Sequence, residues 1–148
     1  MNLIESTVTL EKIIGTDVQI ETLFDLLNRR VHNISNKVYP QLAEHIEFVR
    51  NHPYRVWYLV KINVNCIGAA YIMKNNCIGI NLISDIHLFP TVVKLILKTH
   101  KPLKEIKSVR PSYFYINIAP DNIEIEDQLA KINAPKIQST FILSPVQT

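Results

Sequence analysis

Glycine is scarce in this chain, with Gly15, Gly68 and Gly79 the only three among 148 residues. Phosphate-cradling loops depend on glycine, because a Cβ keeps backbone N–H groups from closing on a phosphate. The scarcity excludes a Walker-type loop, a Gly-x-Gly-x-x-Gly dinucleotide turn and a Gly-x-Ser-x-Gly nucleophile elbow. Cysteine is nearly as rare. Cys66 and Cys77 lie eleven positions apart with no zinc-type Cys/His spacing, and they read as reduced apolar residues. There is no His-Glu-x-x-His and no calcium loop, so no metal is expected. Long apolar runs are missing too, and Met1-Asn-Leu-Ile-Glu5 carries an early acid. Neither a signal peptide nor a transmembrane helix is therefore expected, which implies a cytoplasmic protein with no membrane partner. Nor is there a block of like charge. The 16 basic and 13 acidic residues are spread along the chain and leave a net charge of +3. That distribution argues against a nucleic-acid footprint and allows only a mild preference for anionic ligands.

What is present is a globular composition, 47% hydrophobic and 20% charged, of a length that suits a single domain over residues 1–148. No repeat, low-complexity tract or linker interrupts it. Ser6 to Ile14 alternates as a half-buried strand does. Asp17 is placed to cap a helix whose apolar positions Ile20, Leu23, Phe24, Leu26 and Leu27 precede Asn28-Arg29-Arg30. A second helix runs from about Tyr39-Pro40 to Arg50. Three strands follow: Arg55 to Ile62, Cys66 to Met73 and Cys77 to Ile83, separated by Asn-rich turns in an antiparallel meander. After the irregular Ser84 to Pro90, the spacing predicts a helix over Thr91 to His100. Pro102 to Val109 is a connector, Ser112 to Ala119 a strand, Asn122 to Ile132 a helix and Lys136 to Leu143 a last strand.

Ile118-Ala-Pro-Asp-Asn122 followed by Leu129-Ala-Lys-Ile-Asn-Ala134 resembles the strand-turn-helix of the GNAT (N-acetyltransferase) superfamily, which ends in a Lys-x-Gly-Phe-like corner. Ile67-Gly-Ala69 and Ile78-Gly-Ile80 are similar to the strand starts of bacterial members. The resemblance covers about residues 5 to 143. It implies an α+β, GNAT-like acyl-CoA N-acyltransferase fold: a mostly antiparallel sheet with a splayed parallel pair and flanking helices. It also implies acetyl-CoA as cosubstrate and a small amine, such as an amino sugar or amino acid, as acceptor.

In such a fold the pantetheine arm of the cosubstrate fills the gap between the splayed strands and meets their unpaired backbone groups. The resemblance therefore assigns cosubstrate contacts to Asn81, Leu82, Ile83 and Ser84, to Pro90 and Thr91 at the helix entry, and to Asn122 after the later strand. Two features depart from the superfamily's pattern. The stretch Ile83 to Pro90 holds no glycine and carries Asp85, and Leu129 stands where many members have a tyrosine to protonate the departing thiolate. Asn133 replaces the corner glycine, a change that the left-handed tolerance of Asn allows.

Glu44, His45, His52 and His87 are the base candidates. His87 is preferred as catalytic because strand-to-helix loops point at the ligand in this order of elements. Tyr54, Trp57, Tyr58 and Tyr71 read first as core. Arg55 reads as a solvated strand edge, and Arg29 with Arg30 as an open candidate for an anionic substrate group. Three readings follow: an N-acyltransferase, a degenerate GNAT-like module that binds without turnover, and an interaction module. The last would use the sheet edge near Lys136 to Leu143 for a peptide strand or a homodimer.

Overall fold

The computed structural model describes residues 7–29 and 41–146. Five strands form one sheet in the order β1-β2-β3-β4-β5. These are β1 (Val8–Lys12), β2 (Val56–Ile62), β3 (Asn65–Ile72), β4 (Cys77–Leu82) and β5 (Tyr115–Ile116). The first four pair antiparallel, and β5 joins β4 in parallel. Four helices are described: α1 (Asp17–Asn28), α2 (Leu42–Arg50), α3 (Phe89–Thr99) and α4 (Ile123–Lys131). This is the mixed α+β architecture expected from the sequence.

β2 lies inside the sheet because its residues Val56 to Val60 are apolar on both faces, and all five are buried. One face carries Val56, Tyr58, Val60, Ile72 and Ile78 and packs on Phe89, Val92 and Ile96 of α3 and Ile125 of α4. The other face carries Trp57 and Leu59 and packs on Ile20, Leu23 and Leu26 of α1 and Val49 of α2. The core therefore has two layers, one on each side of the sheet. Tyr54, Trp57 and Tyr71 belong to the second layer as expected; the Tyr54 and Tyr71 rings stack 4.2 Å apart.

The turns show why asparagine recurs. Asn63 and Asn76 hold φ of 56° and 73°, the left-handed region that a short amide side chain tolerates best after glycine. Asn76 is fully buried, and its amide ties the β3–β4 turn to the later connector. Nδ2 donates to the carbonyls of Leu103 (2.9 Å) and Pro111 (2.8 Å), and Oδ1 accepts from Leu103 N–H (2.7 Å).

Several sequence expectations are corrected. The cap of α1 is Thr16, not Asp17. The Thr16 hydroxyl accepts from Gln19 N–H (3.2 Å) while the Gln19 side chain reaches back to Thr16 N–H (3.4 Å), a reciprocal pair that leaves Asp17 as the first helical residue. Gln19 also accepts from Ile14 and Gly15 N–H and donates to Glu11 and to the Lys12 carbonyl, closing the β1–α1 connection. The strand expected over Ser112 to Ala119 pairs only at Tyr115 and Ile116. The last strand, Lys136 to Leu143, makes no ladder and is exposed along its length. Strand propensity alone does not create a strand where no neighbouring backbone is within reach. The α3 helix opens at Phe89, ahead of Thr91, because a 3₁₀ turn (Ile86–Leu88) feeds it. Ser6, Arg30 and the Tyr39-Pro40 helix start lie outside the described residues.

Candidate functional site

β4 and β5 pair through only two positions, Cys77 with Tyr115 and Ile78 with Ile116. Beyond them β4 runs on to Leu82 against β3, while the other chain turns off through Pro120 into α4. The two strands part here. A cleft of about 210 Å³ opens at this point, lined by Ile80, Asn81, Leu82 and Ile83 of the β4 end and by Ile86, Arg29, Asn122, Glu124 and Ile125. In the β3–β4 ladder Ile83 N–H donates to Ile67 C=O, which sets the alternation of the antiparallel pattern. By that alternation the N–H and C=O groups of Ile80 and Leu82 face away from β3, toward the gap. A cleft with unpaired strand backbone on one wall and a helix N-terminus on the other suits an extended, amide-containing ligand.

Of the residues singled out in the sequence, Asn81, Leu82, Ile83 and Asn122 meet in this cleft. Asn122 caps α4, its Oδ1 accepting from Ile125 N–H at 3.3 Å, which leaves its amide nitrogen for another partner. Ser84, Pro90 and Thr91 do not line the cleft. Ser84 donates its hydroxyl to the Asp85 carboxylate (2.8 Å), and Pro90 sits in the first turn of α3. Asp85 has φ of 55°, so an acid here adopts the left-handed backbone for which a loop of this kind would use glycine. The 3₁₀ turn also moves the free N–H groups of the α3 entry back to Ile86 and His87, since Leu88 N–H is already bonded to Asp85 C=O (2.9 Å). His87 is exposed on that turn, next to the lining residue Ile86.

The remaining base candidates separate cleanly. His45 is buried, with Nε2 3.1 Å from Ile20 C=O and its ring 5.2 Å from Phe24, and it ties α2 to α1. His52 accepts Tyr54 N–H at Nδ1 (3.2 Å) and packs on Trp57. Glu44 is exposed on α2. None of the three lines the cleft. Leu129 packs against the main core. Arg29 lines the cleft while pairing with Asp25 at 3.2 Å; Arg55 donates to Lys101 C=O at 2.9 Å.

Glu124 is the carboxylate in the lining that sequence reasoning missed. Its sequence signal is indistinct, because an acid in the first turn of a helix is what the helix dipole favours anyway. Burial pushes both thiols up: Cys66, half-buried on β3, and Cys77, buried where β4 begins. Among the described residues no group of three His, Cys, Asp or Glu is gathered closely enough to hold a metal ion. No helix among them is long and apolar enough to cross a membrane.

Away from the cleft, Tyr58 O–H lies 2.6 Å from His100 Nε2 at the end of α3. Burial, then the charges of Arg55 and Lys12, hold the His100 pKa below the usual imidazole value, and burial lowers His52 as well. The folded state therefore binds these protons less readily than the unfolded chain. Their contribution to stability is complete above an unfolded pKa of about 6.5 and is lost as pH falls through it toward the depressed folded values. Urea midpoints should decline between about pH 7.5 and 5.5. A smaller decline is expected for His100→Gln, and an equal decline would rule out His100 as a source.

No protein-family model matches the chain, and no curated protein does. Among solved structures it is similar to a crystal structure described as a possible acetyltransferase from Clostridium difficile 630. The TM-score is 0.59 at 8% identity, over 96% of this chain and 99% of that one. A likeness at this identity shows the fold: a GNAT-like α+β sheet with a parting parallel pair.

Proposed function

We propose that the chain is an N-acyltransferase of the GNAT superfamily that takes an acyl group from acetyl-CoA and passes it to a small amine, an amino sugar or an amino acid. The observation that carries this reading is the cleft where β4 and β5 part, lined by Asn81, Leu82 and Ile83 on one side and Asn122 on the other. The backbone groups of Ile80 and Leu82 and the free amide nitrogen of Asn122 supply hydrogen-bond partners for the amides of a pantetheine arm. When bound, acetyl-CoA supplies a thioester-activated acyl group.

The residues fit the arm better than the phosphates. Asp85 brings negative charge to the turn whose N–H groups would meet an anion, so the phosphate end of the ligand gains less here than at a glycine-rich loop. The chemistry asks for a group to take a proton from the acceptor amine. His87, beside the cleft, and Glu124, in its wall, are the two candidates, and Arg29 is placed to hold an anionic group of the acceptor. With the half-buried Leu129 packed against the core, no side-chain acid is assigned to the departing thiolate.

Asp85 and Leu129 also favour a second reading, a domain that binds the ligand without turning it over.

Calorimetric titration with acetyl-CoA and with free CoA tests the binding step. Asn122→Ser keeps an oxygen to cap α4 while removing the amide, so it should weaken binding about tenfold and leave thermal stability nearly unchanged. The absence of heat or thermal shift at saturating ligand would refute both readings. Binding followed by thiol release on addition of amines would select the acyltransferase. Loss of that release in His87→Gln or in Glu124→Gln would then identify the base.

A further inference from the structure

The chain beyond α4 leaves the body of the protein as an extended tail. Asn133 turns it with φ of 57°, and from Pro135 to Val146 it forms no ladder. Phe141, Ile142, Leu143 and Val146 are 81, 95, 91 and 90% exposed. Lys136 is the one charged residue from Pro135 to Val146, and Phe-Ile-Leu at 141–143 has the propensity of a strand.

At the root of the tail is a groove of about 410 Å³. Tyr113, Tyr115 and Asn117, on and beside the edge strand β5, form one wall, Ile137 and Gln138 form the far wall, and the connector between Glu105 and Pro111 supplies the rest of the lining. β4 occupies one side of β5, and no strand among the described residues lies on the other. A strand-like segment without a partner and a sheet edge without a partner thus coexist in one chain.

The tail is poorly able to fold back into its own groove. Ile137 and Gln138 already make the far wall, so residues 140–146 could enter only through a tight reversal at about Ser139-Thr140. Two-residue hairpin turns demand Gly, Asn or Asp at positive φ, and this stretch has none.

We propose that Thr140 to Val146 of one copy lies along the β5 edge of a second copy, in the groove beside Tyr115 and Asn117, and that the exchange is reciprocal, making a two-fold dimer. Four large side chains at such exposure present on the order of 500 Å² of apolar surface per chain, more than soluble monomers usually leave open in a single patch. Two tails with the surfaces they cover reach the roughly 1,600 Å² of a standard interface. A second copy is favoured as the occupant because each copy brings both the tail and the edge, so one two-fold contact satisfies all four and leaves no open end.

Light scattering should give twice the chain mass for the native protein. Phe141→Asp combined with Leu143→Asp should give the monomer mass with unchanged circular dichroism. In a second arm, Ile142→Cys protein mixed with Tyr115→Cys protein under oxidation should form a covalent hetero-dimer, the native thiols being at least half-buried. A native monomer would overturn the proposal, including one that captures an added Thr140–Val146 peptide. So would a dimer that survives both Asp substitutions, or an intramolecular crosslink when the two cysteines share one chain.

Discussion

Asn76→Ala should destabilise the protein by roughly 3–6 kcal/mol, a large part of the 5–15 kcal/mol that holds a domain of this size together. Three part-buried hydrogen bonds end on this one side chain, at Leu103 N–H, Leu103 C=O and Pro111 C=O. Removing the amide leaves those three backbone groups without this partner, and because they are only part-buried the cost of each lies near the low end of about 1–3 kcal/mol. The left-handed φ of 73° adds about 1 kcal/mol for alanine. Asn76→Gly removes the backbone strain but not the loss of the amide, so it should fall between alanine and the native protein. Urea unfolding of the three proteins measures this directly, and a loss below about 1 kcal/mol for alanine would mean that water replaces the amide. The effect should reach the cleft. Asn76 C=O also accepts Tyr115 N–H at 3.2 Å, the bond that begins the short parallel pairing of β5.

Gly68→Ala is the second large expectation, and it acts on the cleft through the backbone. A Cβ at this position on β3 would stand 2.2 Å from Asn81 O and 2.9 Å from Leu82 Cα. Both atoms belong to the cleft strand, and neither can swing aside as a flexible side chain could. Either β4 shifts outward, deforming the wall formed by Asn81 and Leu82, or the ladder breaks between the two strands. A cost of about 1–3 kcal/mol is expected from the crowding, together with weakened acetyl-CoA binding at temperatures where the variant is still folded. Gly79 on β4 provides the contrast. A Cβ there meets the ring of Tyr71, a side chain stacked on Tyr54, so Gly79→Ala should disturb that aromatic pair and cost stability, yet leave the backbone of the cleft wall in place and spare binding. Should Gly68→Ala bind acetyl-CoA as the native protein does, the assignment of the cleft to the ligand would fail.

The sheet was legible in the sequence because its strands obey local rules. Val56 to Val60 is a β-branched and aromatic run, the turns carry asparagine, and all three meander strands appear where alternation and punctuation put them. Asn122 was singled out by the family resemblance of the turn that precedes the helix, and it stands as the cap of α4, in one wall of the cleft. What escaped depended on distant neighbours. Lys136 to Leu143 has the composition of a strand, but a strand needs a partner, and composition does not say whether one is within reach. His45 and Glu124 sit on helices with no local mark to tell a buried tie from a cleft wall. Only the fold brings His45 against Ile20 and Glu124 opposite Asn81. Asp17 lost the cap to Thr16 because the competition depended on a glutamine three residues further along.

The two thiols give the molecule a built-in report on its own opening. Thiolate, not thiol, reacts with alkylating agents and oxidants, and burial holds both Cys66 and Cys77 in the protonated form. Reaction at Cys77 requires the start of β4 to be uncovered, where Asn117 also reaches the sulfur at 3.7 Å, whereas Cys66 lies half-accessible on β3. Their labelling rates therefore measure two different events in the same sheet: breathing of the strand beneath the cleft at Cys77, and fraying of the meander at Cys66.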